Sequence, residues 1–373
     1  MKIIMLRSNP VNPYPRLEKE ARVLNKVHTV SVFCWDRSKN YKLSKDTLLD
    51  MEIPIFRTGI RSEYGDGLKN LLPLIRFQFR LCYFLIKNRK SFDAIHAYDF
   101  DTGFLSLFFA KLMKKKLVYD IADFYCDSHN FSGIAYSLLR KLEILVIHHS
   151  DGTIICNEAR INQISGSKAK NLTIIHNSPN LQNEHLLGNL PSNHSGKLKI
   201  VYIGILAENR LIEEILEVVS SSKDIELHIG GFGSLDRKIK EESLKNNNIF
   251  YYGKVPYNDV LKIENSSDVV LAIYDPKIRN HSYAAPNKFY EGLALGKPVI
   301  MCKNTGMSDV IDKMHFGVLM EDFSKKSFRK AIDEIKCLIS ERMNISTEMK
   351  NYFEANFSWD KMEKRLIKLY EEI

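Results

Sequence analysis

The chain lacks most features that announce a specialised class. Among its 373 residues there are two tryptophans and six cysteines, and Cys34, Cys82, Cys126, Cys156, Cys302 and Cys337 have no paired spacing. Scattered thiols exclude a disulfide frame or a cysteine-held metal and fit buried apolar packing in a reducing compartment. No uninterrupted apolar run reaches the roughly 18 residues that a membrane span needs. The apolar start at Met1–Leu6 is too short for a signal peptide. Low-complexity tracts and short-period repeats are also missing. Asn-x-Ser/Thr triplets at Asn171, Asn193 and Asn265 carry no weight in a protein that stays in the cytoplasm. The expectation is a soluble cytoplasmic protein.

The second half lacks net charge. Residues 191–373 hold 27 Lys and Arg against 27 Asp and Glu, whereas residues 1–190 hold 27 against 18. The whole excess of nine positive charges therefore sits in the first half, which suits an anionic partner such as a phosphorylated substrate, a membrane surface or nucleic acid.

Strand-like and helix-like runs alternate throughout, the pattern of parallel sheets covered by helices. In the first half, strands are expected at Lys2–Leu6, Thr29–Phe33, Ala94–His96, Leu117–Tyr119, Gly152–Cys156 and Leu172–Ile175. Helices are expected near Arg16–Lys26, Leu68–Asn88, Thr102–Met113 and Gly133–His148. Leu181–Lys197 breaks the rhythm with Gly, Pro and Asn and reads as a linker. The alternation then restarts with strands at Ile200–Ile203, Ile225–Ile229, Ile249–Tyr252, Val269–Ile273 and Val299–Met301. Two α/β, Rossmann-like domains are expected, 1–190 and 191–373, facing an interdomain cleft.

Four segments carry chemistry. Pro286-Asn287-Lys288-Phe289-Tyr290-Glu291 opens a helix of small residues that ends in Gly296-Lys297-Pro298. A carboxylate there can accept hydrogen bonds from the vicinal hydroxyls of a ribose, or merely cap its own helix. Tyr202-Ile203-Gly204 ends a strand, and Arg210 follows at a helix opening, a setting for a diphosphate or for a surface arginine. Gly230-Gly231-Phe232-Gly233 ends another strand, where glycines admit a ligand or make a tight turn. Tyr252-Gly253-Lys254-Val255-Pro256 ends a third, with backbone amides suited to a flat base. The strand ends and Glu291 converge on one rim.

These residues resemble the retaining GT-B-type glycosyltransferases of family 4, and the likeness covers nearly the whole chain. Pro15–Ala21, Val30–Arg37, Ala94–Asp99, Val118–Asp123 and Ile174–Asn180 fit the family's first domain, and Pro286–Ile300 is the most specific match. Phe357-Ser358-Trp359-Asp360 and the helix after it resemble the family's C-terminal crossover, implying that about 358–373 packs back on the first domain. The resemblance implies transfer of a sugar from a nucleotide-sugar with retention of configuration and no bound metal. The nucleotide-sugar is a substrate, and no cofactor is expected. Arg210 and Lys288 would stabilise the departing diphosphate. Donor binding would fall to Gly204, Gly231, Gly233, Gly253, Lys254, Val255, Asn287 and Glu291. Arg16, Asp99, Asp120 and Asp123 would lie on the acceptor side. The chain departs from the family pattern at Tyr283, where the first of two glutamates would fall, and at Ile205 and Ala122, in place of a basic residue and a histidine. His96, His148, His149 and His176 read as structural.

Leu68–Lys90 interleaves aliphatic and aromatic residues with Lys69, Arg76, Arg80, Lys87 and Arg89, without an acid. Lys111, Lys114, Lys115 and Lys116 add a second cluster. Such a pattern fits a helix lying on an anionic membrane, or a packed helix with a basic edge. The former suits peripheral attachment at the cytoplasmic face and a glycan or lipid-linked acceptor in surface polysaccharide assembly. Other readings are a catalytically silent binding partner of another transferase and a nucleotide-sugar epimerase on the same scaffold. No motif specifies nucleic-acid binding, and none is expected.

Overall fold

The computed structural model describes residues 1–11, 14–48, 52–62, 67–129, 131–181 and 196–373. They divide into two compact units, Met1–Ile175 with Met362–Ile373, and His176–Lys361. The expected linker falls almost wholly outside the described residues.

The first unit runs β1 (Lys2–Arg7), α1 (Pro15–Asn25), β2 (Thr29–Asp36), β3 (Tyr41–Thr47), β4 (Pro54–Gly59), α2 (Leu71–Lys87), β5 (Ala94–Tyr98), α3 (Asp99–Met113), β6 (Lys116–Ile121), α4 (Tyr125–Ser128), α5 (Gly133–His149), β7 (Gly152–Ile155), α6 (Arg160–Gln163) and β8 (Leu172–Ile174). Its sheet has the order β3-β4-β2-β1-β5-β6-β7-β8. All pairings are parallel except β3 against β4. β5 and β7 are buried at every residue, as continuous apolar strands covered on both faces should be. No sequence pattern marks β3. Its residues are nearly all exposed and polar, so no period-two pattern marks it, and only pairing with β4 makes it a strand.

The second unit runs β9 (Leu198–Ile205), α7 (Ile212–Ser220), β10 (Ile225–Phe232), α8 (Asp236–Lys245), β11 (Ile249–Tyr251), α9 (Tyr257–Asn265), β12 (Val269–Leu271), α10 (Asn287–Leu295), β13 (Val299–Cys302), α11 (Ser308–Met314), β14 (Gly317–Met320), α12 (Lys325–Glu341) and α13 (Ile345–Asn356), before α14 (Trp359–Glu372). Its sheet is wholly parallel, in the order β11-β10-β9-β12-β13-β14. The chain builds outward from β9 and then returns to lay β12 on the other side. That reversal is the topological switch point where open α/β sheets bind ligands, at the carboxyl ends of the strands. Gly204 lies there.

Residues of α14 from Met362 onward belong to the first unit. Tyr370 lies with its hydroxyl 2.9 Å from His96 Nδ1, and Arg365 donates to the Ile174 carbonyl at 3.0 Å.

Candidate active site

α10 begins after Pro286, whose φ of −62° suits a helix entrance, and stops at Gly296, where φ is +67°. The Lys297 amide closes the end by donating to the Gly292 carbonyl at 2.8 Å. Every residue from Lys288 to Leu295 is buried. A Cβ on Gly292 would lie 2.7 Å from a Val299 methyl, so a small residue lets this helix sit hard against β13. The consequence is that Lys288 and Glu291 project from a buried helix.

Lys288 reaches the end of β9. Its Nζ stands 4.7 Å from the centre of the Tyr202 ring, and a Cβ on Gly204 would come within 2.6 Å of it. Burial works against the ammonium, but Tyr202, Tyr274, Glu291 and Glu264 outweigh it and hold Lys288 above its ordinary value. It stays charged.

Arg210 closes a short 3-10 turn, Glu208–Arg210, after β9. Its guanidinium carbon lies 4.0 Å from the centre of the Tyr274 ring, a cation–π contact. Its Nη1 is 3.3 Å from His281 Nε2, and His281 Nδ1 is 2.8 Å from the Asp275 carbonyl. A carbonyl only accepts, so His281 donates from Nδ1 and presents the Nε2 lone pair to Arg210. Tyr202 interacts with both cations. Arg210, Lys288, Tyr202 and Tyr274 are therefore one assembly at the end of β9. Sequence reading missed His281 and Tyr274. Neither sits in a motif, and only the 3-10 turn Arg279–Tyr283 brings His281 to Arg210.

Glu291 is buried at 3% exposure. It hydrogen-bonds to Tyr257, the first residue of α9, and interacts with Lys288. Asn287, at the opening of α10, is exposed.

The glycines serve the sheet itself. At Gly231 φ is +135°, and a Cβ would overlap the Gly204 carbonyl oxygen at 1.7 Å. At Gly233 φ is +155°, and a Cβ would meet the Leu206 oxygen at 2.2 Å. Both positions demand glycine because two backbones approach each other there. Gly253 has φ of +62° and open space around it, and its carbonyl accepts from the Gly231 amide at 2.7 Å. Val255 packs toward Gly230, while Lys254 is exposed. Ile205, where a basic residue was expected, is 52% exposed.

In the first unit, Arg16 and Asp120 form a buried pair. Arg16 Nε and Nη2 donate to the two Asp120 oxygens at 3.1 and 2.9 Å, and Nη1 donates to the Ile175 carbonyl at 2.8 Å. Burial would raise the Asp120 carboxyl, but Arg16 and His96 hold it below its ordinary value. Glu20 lies 3.3 Å from Arg16 and accepts from Tyr98 at 2.5 Å, and burial, joined by Asp120, pushes it up to about 7. Glu20, His96 and Asp120 also place ligand-type atoms within 4.8 Å of one another, but the Arg16 guanidinium already supplies their countercharge. Both Arg16 and Asp120 are spent inside this network. Asp99, with φ of +59°, accepts from the Ala122 and Asp123 amides at 3.1 and 3.2 Å. Burial, opposed by Arg7, pushes it up to about 7. Asp123 is 59% exposed and pairs with Arg160 at 3.2 Å.

The basic helix divides into two faces. Phe77, Leu81, Phe84 and Leu85 of α2 are buried, while Leu72, Ile75, Phe79, Tyr83 and Ile86 are exposed. α3 packs beside α2 and α5 beside α3. α3 exposes Phe104, Phe108 and Leu112, and α5 exposes Ile134, Leu138 and Leu145. Among the described residues, Lys69, Arg76, Lys87, Arg89, Lys90, Lys111, Lys114 and Lys115 have no ion pair. Arg80 is not part of this face. It donates to the Tyr41 and Gly59 carbonyls and the Thr58 hydroxyl, tying α2 to β3 and β4. No helix among the described residues is long and apolar enough to cross a membrane.

Comparison with known proteins accords with this geometry. Residues 197–336 match the family described as Glycosyl transferases group 1. An uncharacterised glycosyltransferase of Methanocaldococcus jannaschii is 23% identical over 320 residues, 78% of this chain and 80% of that protein. Sucrose-phosphate synthase from Thermosynechococcus elongatus has the same fold, with a TM-score of 0.75 at 14% identity over 100% of this chain and 99% of that one. Anabaena HepE, solved with UDP-glucose, matches with a TM-score of 0.75 at 14% identity over 100% of both chains. The chain has the GT-B fold of these glycosyltransferases, and residues 197–336 match the family of glycosyl transferases group 1.

Proposed function

We propose that the protein is a retaining, metal-independent glycosyltransferase of family 4. It moves a sugar from a nucleotide-sugar to a glycan or lipid-linked acceptor in surface polysaccharide assembly. The observation that carries this reading is the gathering of Arg210, Lys288 and Glu291 around the end of β9. Glu291 grips the ribose hydroxyls, and HepE, a neighbour of the same fold, was solved with UDP-glucose. Arg210 and Lys288, each resting on a tyrosine face, receive the charge that develops on the leaving diphosphate. Preorganised cations in a partly desolvated site stabilise that charge far better than water does. The acceptor hydroxyl then attacks on the face the diphosphate leaves, which retains configuration and needs no protein nucleophile. A diphosphate oxygen takes its proton.

The acceptor reading rests on the apolar exterior of α2, α3 and α5 and its unpaired cations. Exposed Phe79, Tyr83, Phe108 and Leu112 would sit among headgroups while lysines meet anionic lipid. The exposed face supports peripheral attachment at the cytoplasmic face.

Incubation with a panel of UDP-, GDP- and ADP-sugars tests the donor reading. Slow release of nucleotide from one donor supports it. Inversion at C2 without release marks an epimerase instead, and no turnover of any donor marks a silent partner.

A further inference from the structure

Glu264 takes no part in the scheme above, yet it is one of the most anomalous side chains in the second unit. It lies near the end of α9, is 0% exposed, and neither carboxyl oxygen meets a hydrogen-bond donor. A buried ionised carboxylate without a donor is too costly to persist. α9 packs on α10, and this contact sets the Glu264 carboxyl beside that of Glu291. Two carboxylates cannot hydrogen-bond to each other unless a proton lies between them. Among the described residues, Lys288 from α10 and Tyr257 from α9 face the pair. One ammonium balances one carboxylate. The neutral arrangement is thus a charged Lys288, one carboxylate and one carboxylic acid.

We propose that Glu264 is a positioning residue, a buried carboxylic acid that donates its proton to Glu291 and so fixes the carboxylate that holds the donor ribose. The proposal rests on the ribose-binding role given to Glu291 above. The bond engages one side of the Glu291 carboxylate, and Tyr257 contributes a second donor. Burial, and then Glu291, hold Glu264 well above the ordinary carboxyl range, in keeping with a proton retained at neutral pH. At alkaline pH the proton leaves, two buried negative charges face one lysine, and Glu291 is pushed off its pose.

Two readouts separate this proposal from the donor reading on which it depends. Infrared difference spectroscopy of the free protein, wild type against Glu264→Gln, needs no ligand. At neutral pH the wild type should show the C=O band of a protonated buried carboxyl that the variant lacks. Absence of that band overturns the proposal whatever the protein binds. Calorimetric titration with UDP, GDP and ADP then follows the tightest of the three. Glu264→Ala should weaken it by roughly tenfold, the equivalent of one lost hydrogen bond. Glu264→Gln, whose amide still donates, should restore most of the affinity. Wild-type affinity should fall as pH rises from neutral, and in Glu264→Gln that fall should vanish. Equal affinity in wild type and Glu264→Ala, or an alkaline fall that persists in Glu264→Gln, overturns the role. If none of the three nucleotides binds the wild type, the donor reading fails while the infrared band still decides the proton.

Discussion

Replacing Gly204 by alanine would place a methyl group 2.6 Å from Lys288 Nζ and 3.3 Å from its Cε. Comfortable contact needs roughly 3.5 Å, so the ammonium must retreat by about 1 Å. Gly204 lacks the positive φ that only glycine adopts easily, and the colliding atom is the end of a flexible side chain. The sheet should therefore survive, and the disturbance should fall on the position of the cation. A misplacement of about 1 Å at a reacting centre can lower the rate by roughly 100-fold. Steady-state kinetics with the donor identified by the panel should show kcat/KM reduced on that order, with a melting temperature close to wild type. Gly231→Ala is the contrast. Its Cβ would overlap the Gly204 carbonyl, the strands would have to part, and the protein should fail to fold. Gly204→Ala with kcat/KM within about threefold of wild type would refute the idea that Lys288 acts from this position.

Three further outcomes are expected. Burial pushes the Glu143 carboxyl from 4.5 up to about 8. The unfolded chain releases that proton first, so stability should fall as pH rises across this window. At ~1.4 kcal/mol per pH unit the upper bound is about 5 kcal/mol, and Glu143→Gln should flatten the slope of melting temperature against pH. His281→Ala removes the acceptor that holds Arg210, so kcat should drop roughly tenfold with a smaller change in donor KM, and His281→Gln should recover part of it. Exchanging Lys87, Lys111 and Lys115 for glutamate should abolish flotation with anionic liposomes but leave the melting temperature unchanged. Equal recovery of wild type on neutral and anionic liposomes would contradict the electrostatic part of the membrane reading.

The strands most readable in the sequence are those buried on both faces. Ile3–Leu6 and Val299–Cys302 are apolar runs because helices cover both sides of the sheet. β3 was illegible because its partner, not its composition, makes it a strand. At the site, the residues placed by local chemistry were found: Gly204 at a strand end, Lys288 and Glu291 one helical turn apart. Residues recruited across the fold were not. His281 reaches Arg210 only through tertiary packing, and Glu264 in Ile263-Glu264-Asn265 looks like any solvated helix position. Arg80 shows the opposite error. It stands in a row of cations that suggested a surface, yet its donors face backbone carbonyls. Spacing alone does not reveal on which side of a helix a long side chain ends.

The most direct test is nucleotide release from the donor panel, measured for wild type, Glu291→Ala and Arg210→Ala. The account predicts turnover of one nucleotide-sugar by the wild type, weakened donor binding in Glu291→Ala, and lowered turnover in Arg210→Ala. Kinetics unchanged in both variants would contradict it.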